Sequence, residues 1–149
     1  MSARPVLLLL HGPNLNLLGD REPEIYGTTT LAEHVDRVRQ LCDAAGFDLE
    51  DLQSNAEHEL VEAVHRARRR VDAIIINAGA LTHYGWSLHD ALATYDGVVV
   101  EVHLSNPIAR EAWRHTSVIA PVATGTIAGL GGDGYDLAVE AVSRLLKKG

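Results

Sequence analysis

The sequence predicts an α/β protein, with a parallel sheet and helices on its faces, as a single domain over residues 1–149. Short apolar runs typical of buried strands alternate with longer segments of helical periodicity. Such alternation favours βαβ units and hence a parallel sheet. With 46% hydrophobic residues, the 149-residue chain can bury a substantial core. No linker, internal repeat or low-complexity segment interrupts the pattern.

The first half of the chain predicts two strands and two helices. A turn sequence over residues 11–14 ends the first strand, and a long loop then extends to Gly27. Thr29 or Thr30 can cap the first helix, and Gly46 can close it. The predicted elements are a strand at 6–10, a helix with apolar positions Leu31, Val35, Val38 and Cys42, a weaker strand at 47–53, and a helix at 56–70.

The second half predicts three more strands. The run 71–76 is the most apolar of the chain, and Val98 begins another buried strand. The predicted elements are strands at 71–76, from Val98, and near 117–120, with helices through 87–95, around 108–114 and at 137–146. Five strands favour the flavodoxin-like sheet order 2-1-3-4-5 in a three-layer sandwich. Its ligand crevice lies beside the first and third strands.

Charge and composition exclude several classes of function. The formal net charge is −7, and the run Arg66, Arg68, Arg69 and Arg70 ends a predicted helix, where cations complement the macrodipole. We therefore expect no nucleic-acid partner. Both lysines, Lys147 and Lys148, lie in the tail, which excludes a Schiff-base lysine and a phosphate-loop lysine inside the fold. No apolar run is long enough for a signal peptide or a membrane span, so a cytoplasmic location without membrane contact is expected.

Polar residues collect directly after the apolar strands. In a parallel sheet the carboxyl ends of the strands form the ligand crevice, although Asn residues in tight turns need no function. Arg110 and Arg114 follow, four residues apart, either as surface arginines or as parts of an anion site. The residues after the first, third and fourth strands are Asn14 and Asn16, then Asn77 and His83, and then His103, Ser105 and Asn106.

Glu101 and His103 stand two residues apart at the end of a buried strand. Residues i and i+2 share one face of a strand, so the carboxylate and the imidazole are expected side by side. A carboxylate there can fix the histidine tautomer and favour the protonated form that a general acid needs. A core histidine bonded to a core glutamate is the equally weighted alternative.

The loop between the first strand and the first helix carries Arg21 and Tyr26. Loops of this length and Pro/Gly content often form active-site lids. A tyrosine acts as a base as its phenolate, which a nearby arginine favours. Most loop tyrosines, however, pack as amphipathic side chains.

Two further patterns are discounted. Residues 129–134 satisfy GxGxxG, but too little chain follows for a dinucleotide fold, so we predict a tight strand-to-helix connection. His58, Glu62 and His65 share one helical face without the HExxH spacing, which indicates a solvated face rather than a metal site.

Five motifs together resemble type II 3-dehydroquinate dehydratase, in order and spacing, over essentially the whole chain. They are Gly12-Pro-Asn-Leu-Asn16, Arg21-Glu-Pro-Glu-Ile-Tyr26-Gly, Asn77-Ala-Gly-Ala-Leu-Thr-His83, Glu101-Val-His-Leu-Ser-Asn106 and Ala123-Thr-Gly125. The resemblance implies reversible dehydration of 3-dehydroquinate to 3-dehydroshikimate, either in the shikimate pathway of aromatic amino acid biosynthesis or in quinate catabolism. It also implies a flavodoxin-like fold, no metal or cofactor, and a homododecamer built from four trimers.

The resemblance further implies catalytic roles for five residues. Tyr26 is the base that removes the proton next to the ketone, and Arg21 favours its phenolate and stabilises the transition state. Asn14 helps to hold a water that stabilises the enolate. His103 protonates the departing tertiary hydroxyl, while Glu101 keeps the imidazole charged.

Six residues are implied to bind the substrate. Leu104 and Ser105 bind its carboxylate, largely through backbone N–H groups. The others are Asn77, His83 and Arg114, which bind ring hydroxyls, and Asp90, which a neighbouring subunit contributes. The chain departs from the family pattern over residues 84–90, where the bulky Tyr84 and Trp86 stand near the expected pocket or trimer contact.

Two rival functions remain at this point. One is a flavodoxin-like module that binds a small carboxylate without turning it over, which would have no need of a phenolate at Tyr26. The other is a metal-dependent lyase built on His58 and Glu62.

Overall fold

The computed structural model describes residues 3–148, which form one parallel five-stranded sheet covered by helices on both faces. The strand order is β2-β1-β3-β4-β5, so the predicted fold class and strand order are confirmed. The strands are β1 Val6–His11, β2 Asp48–Gln53, β3 Ala73–Asn77, β4 Val98–His103 and β5 Gly125–Ala128. The α-helices are α1 Pro23–Tyr26, α2 Leu31–Ala45, α3 Glu57–Ala67, α4 Trp86–Ala93 and α5 Asp133–Lys148.

The sheet separates two apolar cores because alternate residues of each strand point to opposite faces. Ile74 and Ile76 pack under α3 and α4, while Ile75 packs under α2 and α5. Continuous burial of β3 is what a central parallel strand requires. The lone cysteine, Cys42, lies fully buried in the second core, as its place in the apolar stripe predicts.

The observed caps of α2 confirm the predicted ends of that helix. Thr30 caps α2 in a reciprocal capping box with Glu33, and Gly46 ends the helix in the left-handed conformation at φ 86°. Residues 129–132 connect β5 to α5, as predicted for the glycine-rich segment. No helix within residues 3–148 is both long and apolar enough to cross a membrane.

The predicted fifth strand near residues 117–120 is wrong. That segment is a turn in which the Ser117 hydroxyl accepts the backbone N–H groups of Ile119 and Ala120. Val118 and Ile119 are apolar because they fill the core beneath α4, and these apolar residues resemble a buried strand in the sequence. The real β5 is a short and mostly exposed edge strand, whose sequence Gly-Thr-Ile-Ala carries a weak strand pattern.

The predicted short helix around 108–114 is also wrong. The segment contains two separate 3-10 turns, Pro107–Ala109 and Ala112–Arg114. Between them Arg110 adopts an extended conformation with φ −116° and ψ −161°. The closing helix, in contrast, begins at Asp133, four residues before the prediction.

Candidate active site

The carboxyl ends of β1, β3 and β4 open into a cleft of about 530 Å³, which is where ligands bind in open α/β sheets. All of the predicted site residues except Glu101 and Asp90 line this cleft. The predicted residues that line it are Asn14, Arg21, Tyr26, Asn77, His83, His103, Leu104, Ser105 and Arg114.

Close backbone approach at Gly12 joins the first two walls of the cleft. The Gly12 N–H donates to the Asn77 carbonyl at 2.8 Å. A Cβ atom at position 12 would lie 2.1 Å from the carbonyl oxygen of Ala78, so only glycine fits there. Gly12 is thus held against the end of β3, and the N–H of the following Asn14 donates to Asn55 Oδ1, after β2, at 2.9 Å.

Glu101 and His103 form the pair that the strand period predicts. His103 Nε2 lies 2.6 Å from Glu101 Oε2. Because a carboxylate can only accept, Nε2 is the donor in this bond, and Nδ1 is the ring nitrogen left for a ligand in the cleft. Glu101 itself is fully buried behind His103, which explains why it does not line the cleft.

Hydroxyl groups complete the shell around the Glu101 carboxylate. Ser117 donates at 2.8 Å, Thr126 at 3.1 Å and Thr82 at 3.3 Å. Burial raises the pKa of Glu101, but the hydrogen bonds from His103, Ser117 and Thr126 outweigh it and hold that pKa below its ordinary value. The carboxylate is therefore anionic at neutral pH and faces the imidazole as a fixed negative charge.

Replacing Glu101 with Gln is expected to lower the free energy of unfolding and to make it depend less on pH in the acidic range. A carboxyl group whose pKa is lower in the folded than in the unfolded state stabilises the fold fully at pH values above its ordinary pKa of 4.5. This stabilisation is lost as the pH falls through the lower pKa of the folded state. We expect the variant to be about 1–3 kcal/mol less stable than the wild type at pH 7. Its free energy of unfolding should then fall less than that of the wild type as the pH is lowered. Urea unfolding at neutral and acidic pH measures both.

Glu140→Gln is the control for that experiment, because Glu140 is an exposed partner of Arg144 on α5. This change should alter stability little at either pH. An unfolding free energy for Glu101→Gln that falls with acid as steeply as the wild type would contradict the assignment.

Two arginines flank the ring of Tyr26. The guanidinium carbon of Arg21 lies 5.0 Å from the ring centroid, and that of Arg110 lies 5.2 Å from it. Tyr26 ends the short helix α1 and is half-buried at the rim of the cleft. Both guanidinium groups thus lie within cation–π distance of the Tyr26 ring.

His83, which also lines the cleft, is oriented by a backbone carbonyl. Its Nδ1 lies 2.7 Å from the Thr116 carbonyl, so this nitrogen carries the proton and donates. Burial, supported by the nearby charges of His103 and Arg114, lowers the pKa of His83. The neutral ring is left with Nε2 as an acceptor, which suits a ligand hydroxyl.

The segment after β4 supplies a serine and two arginines to the cleft, Ser105, Arg110 and Arg114. Ser105 Oγ accepts from Arg110 Nη1 at 3.1 Å. Arg114 is bonded to Glu111 and lies over the ring of Trp113, with its guanidinium carbon 4.1 Å from the centroid. The Arg110 guanidinium beside Ser105 thus places a positive charge in this part of the cleft.

Asp90 lies outside the cleft of its own chain, on α4, with 85% of its side chain exposed. Tyr84 and Trp86, the bulky departures from the family pattern, are 59% and 63% exposed and do not line the cleft either. In the isolated chain these three residues therefore leave the cleft unaltered.

The sequence prediction missed the hydroxyls that hold Glu101. Thr126 stands opposite Glu101 in the register of β4 with β5, but the wrong position of the fifth strand hid this pairing. Arg110 was considered for an anion site and not for a place beside Tyr26, because the chain direction after Asn106 could not be deduced from local pattern.

No group of three or more His, Cys, Asp or Glu side chains placed to hold a metal ion occurs within residues 3–148. His58 and His65 belong to α3, and His58 is exposed to solvent outside the cleft.

Comparison with known proteins identifies the family of the chain. Residues 5–143 match the family model described as dehydroquinase class II. The chain belongs to this family. Membership makes it an enzyme, a carbon–oxygen lyase, and confirms the resemblance carried by the five motifs.

Individual relatives of this class II dehydroquinase are similar over nearly their whole length. The 3-dehydroquinate dehydratase of Thioalkalivibrio sulfidiphilus is 56% identical over 95% of this chain and 97% of its own. That of Aeromonas hydrophila is 52% identical over 99% of both chains. The crystal structure of type II dehydroquinase from Propionibacterium acnes superposes with a TM-score of 0.91 at 40% identity, covering 97% of this chain and 99% of that one.

Proposed function

We propose that the chain dehydrates 3-dehydroquinate to 3-dehydroshikimate through an enolate, with Tyr26 as the base and His103 as the acid. The observation that carries this proposal is the presence, in one cleft, of a tyrosine flanked by two arginines and a histidine backed by a buried carboxylate. A base and an acid at separate positions are what a stepwise elimination next to a ketone needs.

In the first step the Tyr26 phenolate takes the proton on the carbon next to the ketone. The electron pair of that C–H bond moves to the ketone oxygen and forms the enolate. Arg21 and Arg110, whose guanidinium groups lie over the Tyr26 ring, place positive charge beside this base. Asn14, at the mouth of the cleft, helps to hold a water that donates to the enolate oxygen, in the manner of an oxyanion hole.

In the second step the ketone re-forms and expels the tertiary hydroxyl. The C–O bond breaks as His103 Nδ1 gives its proton to the leaving oxygen, so that water departs. Because Nε2 donates to Glu101 throughout, the carboxylate stabilises the imidazolium before the transfer and fixes the ring for it. Loss of the Tyr26 proton to solvent and uptake of a proton by His103 Nδ1 complete the cycle.

The other cleft residues hold the substrate. Its carboxylate binds at Leu104 and Ser105, largely through their backbone N–H groups. The neutral His83 accepts from a ring hydroxyl through Nε2, and Asn77 and Arg114 bind ring hydroxyls from β3 and from the segment after β4. These polar contacts give the cleft its specificity for a small hydroxylated acid.

Asp90 requires a neighbouring subunit if it is to reach a cleft, since it is exposed and outside its own. We therefore propose that the chain assembles into a homo-oligomer, a dodecamer built from four trimers, in which Asp90 of one chain completes the site of another. The exposed Trp86, four residues before Asp90 on the same helix, supports an interface on this face.

The activity is tested by adding 3-dehydroquinate to the chelator-treated protein and following the absorbance of the enone product. We expect turnover at the same rate with and without chelator, because no proposed step uses a metal. Activity that chelation abolishes would favour a metal-dependent lyase. Binding of the substrate without any enone formation would favour the non-catalytic carboxylate-binding module.

A further inference from the structure

A buried tyrosine on α5 connects two of the strands beneath the cleft. Tyr135 is 1% exposed, and its hydroxyl lies 2.7 Å from His11 Nε2 and 3.4 Å from Asn77 Nδ2. His11 and Asn77 end β1 and β3 and stand opposite each other in the register of the two strands. Both are also buried, at 1% and 3% exposure, so the three polar side chains must satisfy one another.

The direction of each hydrogen bond in this group follows from one fixed donor. The backbone N–H of Gly79 lies 3.2 Å from Asn77 Oδ1, which identifies that atom as the amide oxygen. The other amide atom is nitrogen and can only donate, so the Tyr135 oxygen accepts from it. The hydroxyl proton of Tyr135 then goes to His11 Nε2, which must be unprotonated.

The environment of His11 agrees with this direction. Burial, together with the nearby His34, lowers the pKa of His11 to about 3. The imidazole is therefore neutral at physiological pH, with its proton on Nδ1 and an acceptor lone pair on Nε2. A protonated His11 would instead donate to Tyr135 and leave the hydroxyl proton without a buried acceptor.

The chain of bonds leaves Asn77 with one free donor. Its carbonyl accepts from Gly12, its Oδ1 accepts from Gly79, and one N–H of Nδ2 donates to Tyr135. The second N–H has no acceptor within the described residues 3–148, and Asn77 lines the cleft. We infer that His11 and Tyr135 are positioning residues that lock the Asn77 amide so that it presents an N–H donor to a ligand oxygen.

If the proposed function holds, the ligand oxygen is a ring hydroxyl of the substrate. Only this identity of the ligand rests on the proposed function. A preorganised donor strengthens binding because the amide pays no reorientation cost when the substrate arrives. His11 and Tyr135 touch no substrate, so their effect reaches the reaction only through Asn77.

Tyr135→Phe removes the acceptor of the Asn77 N–H and frees the amide to turn. We expect KM for 3-dehydroquinate to rise about five- to tenfold, the equivalent of one hydrogen bond, with kcat changed less than about twofold. Tyr95→Phe is the matched control: Tyr95 is also buried, and its hydroxyl donates to the Val71 carbonyl at 2.7 Å. It has no link to Asn77, and its variant should keep the wild-type KM. Equal KM values for the two variants would overturn the inference.

A second pair of variants tests His11 independently of how the Phe variant folds. His11→Gln keeps an acceptor near the position of Nε2, whereas His11→Leu removes it. We expect His11→Leu to show the same rise in KM and His11→Gln to restore most of it. A KM equally raised in both variants would point to packing alone and contradict the positioning role.

Nitrogen NMR of the wild-type protein gives a readout that does not involve activity. The inference requires a neutral His11 with an unprotonated Nε2, and a protonated Nε2 would overturn it. This measurement separates the inference from the proposed function, since an inactive wild-type protein with the expected His11 tautomer refutes the function and leaves the hydrogen-bond chain intact.

Discussion

Tyr26→Phe is expected to lower kcat for the dehydration of 3-dehydroquinate by about three to four orders of magnitude, the upper range for loss of a general base. The ring should keep its contacts with Arg21 and Arg110, since both guanidinium groups contact the aromatic face. Only the oxygen that takes the proton is lost. Substrate affinity, measured by calorimetry on the slow variant, should therefore stay close to the wild-type KM.

Tyr84→Phe is the matched control for this variant. Tyr84 is 59% exposed and does not line the cleft, so loss of its hydroxyl should leave kcat unchanged. If Tyr26→Phe kept a kcat near that of Tyr84→Phe, the base would lie elsewhere and the mechanism would be wrong. Loss of binding together with turnover would instead show that Tyr26 serves to hold the substrate.

His103→Ala is expected to slow water loss by about a hundredfold or more, which is the usual contribution of a general acid. Removal of the proton next to the ketone uses Tyr26 and should continue, so the variant is expected to exchange that proton with solvent faster than it forms product. The variant also leaves the buried Glu101 without its imidazole partner, and some loss of stability accompanies it.

His58→Ala controls for removal of a histidine as such. His58 is exposed on α3, away from the cleft, and its loss should change neither exchange nor dehydration. The same variant tests the metal-dependent alternative, which needs His58 as a ligand. A large loss of activity in His58→Ala would contradict the cofactor-free mechanism.

The fold could be predicted from the sequence where burial and period agree. The run Ala73–Asn77 is buried at every position, and the caps at Thr30 and Gly46 determine the ends of α2. β5 could not be predicted, because an exposed edge strand has no apolar pattern and the buried residues 118–119 have one without being a strand. A short apolar run in the sequence indicates that its residues are buried, but it does not by itself determine their secondary structure.

Some contacts of the site could be predicted from the local sequence, and others could not. The period of two in a strand was sufficient to place Glu101 beside His103. Arg21 and Tyr26 belong to the connection between β1 and α2, which contains the short α1. Tertiary contacts set the path of this connection, so the place of both residues in the cleft rested on the family resemblance. Contacts between distant segments, such as Tyr26 with Arg110 or Tyr135 with Asn77, follow from the packing of the whole chain.

In the proposed mechanism, Tyr26 removes the proton and His103 drives the loss of water. The most direct test compares Tyr26→Phe and His103→Ala in deuterated water, measuring deuterium incorporation into 3-dehydroquinate and the rate of enone formation in the same samples. Both rates should collapse in Tyr26→Phe, whereas His103→Ala should incorporate deuterium faster than it forms enone. Equal losses of exchange and dehydration in His103→Ala, or rapid exchange in Tyr26→Phe, would contradict it.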